Sequence, residues 1–502
     1  MTRMLTRRRM LRNSAFSLGT LALRPHRVLG QMNMPGMEAS GMSPALTPFV
    51  DALRIPPVLK PTLRGKTQFY TLTMRAGLAK LHRDLPTTVI WGFDGLYPGP
   101  TIKATKGQPV VVRHVSRLPD THKQGGSEMD MMYPSVHLHG AHVRPEDDGH
   151  PRDAIGPGAF RDYHYPNTQR GATLFYHDHS HGQTGLHVYH GLAGGYLIDD
   201  PEEGSLGLPQ GDYDVPLLIQ DRVFNADGSF HYQLDGNARE AGFLGDTILV
   251  NGVVQPYFKV ARRKYRFRIV NASNARLYEL QLSSGAPLVQ IATDGGLLPK
   301  PVAKAVLELS PAERADVVID FAAYPLGAQI ILKNCANCIG SLASVMRFDV
   351  ERPGTEDAAL PNCLSSWEEL PVTAQTVARQ FLLNRVTTPA GPVWTINNQI
   401  YEMKNPPLAK VKHGAVETWQ LLNQTGHRHP MHIHLVQFQV LDINGVAQDP
   451  SVHGWKDTFV APPSGQITVA ARFSGYTGKY LFHCHNLEHE DLGMMADFEI
   501  VS

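Results

Sequence analysis

The stretch of residues 480–495, YLFHCHNLEHEDLGMM, combines one cysteine with three histidines and two methionines. Thiolate, imidazole and thioether groups are ligands for transition metals. Cys484, His429 and His489 offer one thiolate and two imidazoles, and Met494 offers a weak axial thioether. This ligand set is typical of a blue-copper electron-transfer site, whereas a structural zinc site needs a closed tetrahedral set at finger-like spacing. A buried free thiol is the alternative for Cys484, but it leaves the flanking histidines unexplained.

Histidines two positions apart form the second signal. The His-X-His spacing occurs six times among 24 histidines, and four of the pairs occupy matching positions of two similar segments. Side chains at i and i+2 of a strand point to one face, so each pair presents two imidazoles side by side. Eight imidazoles at a domain interface can hold three copper ions, a cluster able to reduce O2 to water by four electrons. The eight candidate ligands are His137, His139, His177, His179, His432, His434, His483 and His485.

Strand geometry connects the two predicted centres. If 480–485 is a strand, His483 and His485 face one side and Cys484 faces the other. The cysteine would then hold one copper while its two neighbours hold others, with a short covalent path for electrons between them. In the first segment, HDH, Asp178 replaces the cysteine, so we expect no blue copper there.

The elements that must position these residues are strands. Short apolar runs separated by Gly and Pro favour strands and turns over long helices. A turn-plus-strand pattern recurs at 94–115, 251–270 and 398–422, which predicts three copies of one β-sandwich unit. The histidine pairs lie in the outer copies. We predict an export signal and leader at 1–45 and domains at 46–200, 201–370 and 371–502.

Charge and the N-terminal residues bear on location and partners. The net charge of +1 gives no basic field for nucleic acid. Residues 6–12, TRRRMLR, followed by a short apolar segment, resemble a twin-arginine export signal, with a basic disordered N-terminus as the alternative. No later apolar run reaches the roughly 18 residues of a membrane helix. We therefore expect a periplasmic or secreted protein, exported by the twin-arginine machinery and lacking an integral membrane segment after signal removal.

Together, the motifs HLHG, HDH, HPMHIH and HCHNLEHEDLGMM resemble the signature of the multicopper oxidases over residues 48–502. Pieces such as LHRDLPTTVIWGFDGLYPGPTI and GWKDTFV are similar to the spore-coat laccase and bilirubin oxidase branch. The resemblance implies three consecutive cupredoxin-like Greek-key β-sandwich domains and four coppers per chain. It implies type 1 copper on His429, Cys484 and His489 with Met494 axial, type 2 on His137 and His432, and a type 3 pair on the other six histidines.

The resemblance also implies roles for two carboxylates. Asp148 and Glu490 match positions where relatives keep carboxylates near the O2 site, where they can relay protons. The alternatives are an exposed turn aspartate and a solvated glutamate. Cys335 and Cys338 could close a small disulfide or stay reduced, and we assign them no catalytic role.

Three functions remain open from the sequence. The first is a laccase-type oxidase in which phenols, aryl amines or dyes reduce type 1 copper near an exposed His489 or His429. The second is oxidation of Cu(I) for copper tolerance, suggested by methionines at 31–44 and 129–132, although a flexible leader is the alternative for the first segment. The third is a non-catalytic exported scaffold of the same fold.

Overall fold

The computed structural model describes residues 42–118, 133–336, 340–355, 357–389 and 391–502. Within these ranges the chain is mostly β, with six sheets and short helices, which confirms the predicted all-β class. None of the helices in the described ranges has the length and apolar character needed to cross a membrane. The twin-arginine segment at 6–12 and the methionines at 32, 34, 37, 129, 131 and 132 lie outside the described residues.

Residues 62–199 form the first pair of sheets. One sheet has the order β1-β2-β5-β7, with β3 paired to β2, and the other has the order β4-β9-β8-β6. The helix α1 (Thr184–His190) follows β8. The strands are β1 (Thr62–Arg64), β2 (Thr67–Ala79), β3 (Thr88–Phe93), β4 (Gly99–Thr105), β5 (Val110–Arg117), β6 (Val136–His139), β7 (Phe160–Tyr165), β8 (Ala172–Asp178) and β9 (Ala193–Asp199).

Residues 214–352 form the second pair. Its sheets have the orders β12-β11-β10-β14-β19-β16-β17 and β13-β21-β20-β15-β18. The helix α2 (Gly236–Ala241) lies between β10 and β11. The strands are β10 (Asp214–Arg222), β11 (Thr247–Val250), β12 (Val253–Val254), β13 (Tyr257–Ala261), β14 (Lys264–Asn271), β15 (Tyr278–Leu282), β16 (Leu288–Thr293), β17 (Gly296–Lys304), β18 (Leu307–Leu309), β19 (Arg314–Asp320), β20 (Gln329–Asn334) and β21 (Ser344–Arg352).

Residues 377–501 form the third pair, with the orders β23-β22-β25-β30-β27-β28 and β24-β32-β31-β26-β29. Two short helices, α3 (Pro450–His453) and α4 (Leu487–Asp491), belong to this part. The strands are β22 (Val377–Thr388), β23 (Gly391–Ile396), β24 (Ala409–Lys412), β25 (Val416–Asn423), β26 (His429–Ile433), β27 (Phe438–Ile443), β28 (Val446–Ala447), β29 (Thr458–Ala461), β30 (Gln466–Arg472), β31 (Gly478–Cys484) and β32 (Met495–Val501). Short 3₁₀ helices are Pro145–Asp147, Pro151–Asp153, Pro201–Leu206, Gly211–Tyr213, Phe321–Ala323 and Gly340–Ala343.

The threefold repeat predicted from the sequence is present in the strand pairing. Each copy forms two successive strands, β4–β5, β13–β14 and β24–β25. The first strand of each copy pairs in parallel with the last strand of its part of the chain, which is β9, β21 or β32. The second pairs in parallel with β2, β10 or β22. Equivalent pairing means that equivalent sequence positions occupy equivalent places, whereas the exact domain boundaries stay a prediction.

Each pair of sheets encloses its own apolar core. Leu72 lies in the first core, Phe267 in the second and Trp419 in the third, all essentially inaccessible to solvent. Burying a large apolar side chain contributes about 1.5–3 kcal/mol, so these cores hold the sheets that carry the histidine pairs in place.

Candidate metal centres

Neighbouring strands carry the four matched histidine pairs. In the first part of the chain, β6 pairs antiparallel with β8, which sets His137 opposite His177. In the third part, β26 pairs antiparallel with β31, which sets His432 opposite His483. Directly opposite residues on antiparallel strands have close side chains, so each strand pair presents its imidazoles as one group.

The two groups of imidazoles meet in one buried cluster. The Nε2 atom of His483 lies 3.1 Å from Nε2 of His179 and 3.1 Å from Nε2 of His434. The ring centroid of His485 lies 5.0 Å from that of His139 and 5.1 Å from that of His177. The remaining two rings, of His137 and His432, lie 5.6 Å apart. All eight side chains are at most 3% exposed.

The hydrogen bonds at the outer edge of this cluster direct lone pairs towards its interior. Nδ1 of His432 lies 2.8 Å from the main-chain oxygen of Asp457, and Nδ1 of His137 lies 2.6 Å from that of Asp148. A carbonyl oxygen only accepts, so each Nδ1 donates and each Nε2 keeps a lone pair. Neither of these Nε2 atoms has a hydrogen-bond partner among the residues that the structure describes.

Burial keeps six of these imidazoles neutral. It lowers the pKa of His139, His177, His179, His432, His434 and His485 well below the usual value, and the neighbouring histidines lower it further. Neutral nitrogen atoms that converge without donors between them are costly to bury unless a cation lies among them. The cluster therefore fits metal ions.

Cys484 lies in a second centre. Its Sγ atom is 3.5 Å from Nδ1 of His429 and 3.9 Å from Nδ1 of His489, and the two nitrogen atoms are 3.1 Å apart. Nε2 of His489 donates to the main-chain oxygen of Glu240 at 3.0 Å, and Nε2 of His429 contacts Oγ1 of Thr425 at 2.7 Å. Oγ1 of Thr425 donates its hydrogen to Oδ1 of Asn423 at 2.8 Å and so accepts from Nε2 of His429, which leaves both Nδ1 atoms with lone pairs directed at the sulfur.

The chemistry of this donor set fits copper. Burial raises the pKa of the Cys484 thiol, so its thiolate form needs a cation beside it. Burial lowers the pKa of His429 to about 3, which leaves that ring neutral. Met494 is buried in the same core, and its main-chain N–H donates to the oxygen of His489 while its own oxygen accepts from the N–H of Cys484.

Two family models match the chain, both described as multicopper oxidase, at residues 79–203 and 373–502. The laccase of Bacillus subtilis (strain 168) is 40% identical over 91% of this chain and 99% of the relative. The chain belongs to the multicopper oxidase family. The bilirubin oxidase of Albifimbria verrucaria is 35% identical, with 91% of this chain and 82% of the relative covered.

Solved multicopper oxidases share the fold. The McoA multicopper oxidase of Aquifex aeolicus matches with a TM-score of 0.77 and 32% identity, over 91% of this chain and 100% of that one. A multicopper oxidase of Pediococcus acidilactici matches with a TM-score of 0.81 and 30% identity, over 94% and 95%. The cupredoxin-like fold, the copper cofactor and the class of copper oxidoreductase with O2 as acceptor, all predicted from the sequence, are confirmed.

In this multicopper oxidase the structure places both predicted carboxylates against the histidine cluster. Oδ2 of Asp148 lies 2.8 Å from Nδ1 of His434. Oε2 of Glu490 lies 3.0 Å from Nδ1 of His483, and its Oε1 accepts from Oγ1 of Thr184 at 3.0 Å. Both carboxylates are 2% exposed, and burial raises the pKa of Asp148.

One expectation was wrong. The sequence interpretation places reductants near an exposed His489 or His429, but both side chains are 0% exposed. Trp394 covers His489 with a ring-centroid distance of 4.0 Å, and the main chain at Glu240 closes its Nε2 edge. Trp394 of the third part and Glu240 of the middle part together bury His489, and no local pattern near His489 indicates either contact.

Sequence reasoning also missed a buried ion pair beside the cluster. Both oxygen atoms of the Asp457 carboxylate accept from Arg314, at 2.6 and 2.5 Å. Oδ1 of Asp457 lies 3.0 Å from Nε2 of His139, while its main-chain oxygen holds His432. The only sequence signal was the charged residues beside apolar ones in the segments RADVVID and KDTFV, which carry Arg314 and Asp457.

Three further histidines and the pair Cys335 and Cys338 do not belong to the two predicted sets of metal ligands. His187 and His190 lie in α1, where Nδ1 of His187 contacts Oδ2 of Asp178 at 2.9 Å. His427 is only partly buried and lies near Glu240. Cys338 lies outside the described residues, so its pairing with Cys335 stays a prediction.

Proposed function

We propose that this laccase-type multicopper oxidase removes single electrons from electron-rich phenols, aryl amines and related dyes and passes them to O2. His429, Cys484, His489 and Met494 would hold a type 1 copper, which would supply the one-electron redox step, and the histidine cluster would hold the coppers that supply reduction of O2 to water. We assign type 2 to His137 and His432, and the type 3 pair to His139, His177, His179, His434, His483 and His485.

The observation that carries the proposal is the position of Cys484 at the end of β31. Its sulfur faces His429 and His489, while its neighbour His483 extends Nε2 to His179 and His434 on the other side of the strand. One peptide bond therefore joins a ligand of each centre. The protein supplies the short bonded connection and excludes water from it, while the redox chemistry belongs to the metal.

Asp148 and Glu490 supply the second requirement, protons. Reduction of O2 to two waters consumes four protons, and the cluster itself is closed to solvent. Each carboxylate contacts Nδ1 of a ligand histidine, Asp148 at 2.8 Å and Glu490 at 3.0 Å. We infer that both orient their histidines and hold protons at the edge of the cluster.

Export is part of the proposal on sequence grounds. The twin-arginine machinery carries folded proteins, which suits a chain whose metal ligands come from two distant segments. The TRRRMLR segment supports this route and a periplasmic or secreted location. Immunoblots of cell fractions from a host with and without the twin-arginine translocase test it, and equal export in both hosts would contradict it.

Kinetics test the reductant class. The copper-loaded protein is compared under air on a methoxyphenol, an aryl amine, bilirubin and Cu(I), with copper content and the blue absorption band measured on the same sample. We expect four coppers per chain, four electrons consumed per O2, and the highest kcat/KM on the phenol or the amine. A higher kcat/KM on Cu(I) would favour copper tolerance, and a copper-loaded protein without a blue band would favour the scaffold.

A further inference from the structure

The C-terminal turn of α2 covers the cysteine centre. Three successive main-chain oxygens of this turn accept hydrogen bonds from groups at that centre. The oxygen of Arg239 accepts from Nε1 of Trp394 at 2.9 Å, that of Glu240 from Nε2 of His489 at 3.0 Å, and that of Ala241 from Nδ2 of Asn486 at 3.0 Å. The last carbonyls of a helix have no partner within the helix, which leaves them free for these contacts.

Side chains around this turn are partly exposed next to the buried His489. The Glu240 side chain, 35% exposed, forms an ion pair with Arg385, which is 45% exposed. Oε2 of Glu240 also lies 3.4 Å from Nε2 of His427, which is 25% exposed. We call Glu240, Arg385 and His427 the Glu240 rim. Because the carbonyl of Glu240 holds His489, its carboxylate lies only a few bonds from the buried ligand.

The two opposite charges of the rim cancel much of each other's field while they remain paired. An exposed ion pair contributes little to the free energy of folding, so either partner can be changed without loss of the fold. Removing one partner leaves a single unit charge at the surface over His489. Such a charge attracts or repels a charged molecule that docks within about 6–8 Å.

We propose that Glu240 and Arg385 are specificity-determining residues that set which charge of aromatic reductant docks over His489. Glu240 favours cationic reductants and Arg385 favours anionic ones. The inference rests on the proposed function, because it assumes that aromatic reductants deliver electrons at the cysteine centre.

Three methoxyphenols that differ only in a side chain test the proposal: one with a quaternary ammonium group, one neutral and one with a sulfonate. We expect Glu240→Gln to raise the ratio of kcat/KM for the sulfonate to that for the ammonium compound by about three- to tenfold. Arg385→Gln lowers the ratio by a similar factor. Both changes appear mainly in KM and shrink at about 1 M salt, where the screening length is about 3 Å.

The controls separate this inference from the proposed function. The Lys259–Glu351 pair, with side chains 55% and 44% exposed, lies on β13 and β21, and Glu351→Gln should leave the ratio unchanged. Copper content and the blue band verify the fold of each variant. Unchanged ratios in both single variants overturn the inference, as does a ratio that moves equally in Glu351→Gln. If the unsubstituted enzyme oxidises none of the three phenols, the proposed function fails instead.

Discussion

The ends of β8 and β31 are equivalent strand ends that differ in one buried residue, and this residue changes their chemistry. Both strands end in the middle residue of a His-X-His segment, Asp178 in the first part of the chain and Cys484 in the third. Both middle residues are fully buried, and both flanking pairs of imidazoles enter the same cluster. The two middle side chains nevertheless have opposite surroundings.

Donors surround the carboxylate, whereas the sulfur lies beside two histidine nitrogen atoms and accepts one long main-chain hydrogen bond, from the N–H of Asn486 at 3.4 Å. Asp178 accepts from the main chain of Ser135 at 3.1 Å, from Oγ of Ser180 at 2.7 Å and from Nδ1 of His187 at 2.9 Å. The sulfur of Cys484 instead faces the Nδ1 lone pairs of two histidines. The first arrangement is complete without a metal, while the second needs a cation. The strand sets the position of the middle residue, and the side chains around that residue determine whether it needs a metal ion.

Replacing Cys484 by serine removes the thiolate that distinguishes the end of β31 from the end of β8. A hydroxyl is a poor copper ligand compared with a thiolate, so Cys484→Ser should abolish the blue band and lower reductant oxidation by at least roughly a thousandfold. Stopped-flow absorbance and oxygen uptake measure both effects. Cys363→Ser, at an exposed cysteine, is the matched control. Undiminished oxygen uptake in Cys484→Ser would refute the proposed electron path.

Replacing Asp178 at the end of β8 tests whether its carboxylate has a structural role. Asp178→Ala leaves buried donors from Ser180 and His187 without their acceptor, so we expect the free energy of unfolding to fall by about 3–5 kcal/mol. The folded fraction should keep its blue band, because Asp178 does not contact Cys484. Denaturant titration of the metal-free protein checks the first point. Asp178→Asn, which keeps one oxygen acceptor, should cost less; an equal cost would contradict the argument.

The carboxylates that contact the flanking histidines should affect turnover and spare the blue centre. Glu490→Gln and Asp148→Asn each keep the shape of the side chain but lose the negative charge that lies against a histidine Nδ1 atom. We expect kcat for oxygen reduction to fall by about 10- to 100-fold, with the blue band intact. Rapid reduction of the blue band by a phenol, followed by slow reoxidation in air, would localise the defect. Normal reoxidation would exclude this role.

The cores of the first and third parts of the chain also differ at one equivalent position. His114 on β5 and Leu421 on β25 both lie seven positions after a turn glycine, Gly107 or Gly414, and both are buried. Burial lowers the pKa of His114 to about 3, and within the described part of the chain its Nδ1 has no hydrogen-bond partner. The unfolded chain binds a proton below about pH 6.5 and the folded chain does not, so His114 lowers stability as the pH falls below 6.5.

We therefore expect His114→Leu to reduce the loss of stability in acid. At pH 5.5, one unit below the ordinary pKa of histidine, His114 should lower the free energy of unfolding of the unsubstituted protein by about 1.4 kcal/mol. The variant should not show this loss. Denaturant titrations of both metal-free proteins at pH 7.5 and 5.5 measure the difference. His413→Leu, at an exposed histidine, serves as the control. Identical pH dependence in His114→Leu and the unsubstituted protein would show that His114 is protonated in the folded state.

The histidine and cysteine positions could be predicted because strand periodicity fixes them locally. His483 and Cys484 face opposite sides of β31 for the same reason that any neighbouring strand residues do. The closure of His489 could not be predicted, because Glu240 is 249 positions away and reaches it only through packing of the middle part of the chain. The Arg314–Asp457 ion pair depends on the same packing. Domain boundaries, individual ligand assignments and the export route remain predictions.

The shared histidine cluster has a consequence for synthesis. His179 and His483, whose Nε2 atoms lie 3.1 Å apart, are separated by 304 positions. At about 5–20 residues per second, the ribosome needs roughly 15 to 60 seconds to produce the second after the first. During that interval the emerging chain contains only the four cluster histidines of its first part, His137, His139, His177 and His179. We therefore expect tight binding of copper in the cluster only after translation has passed His485.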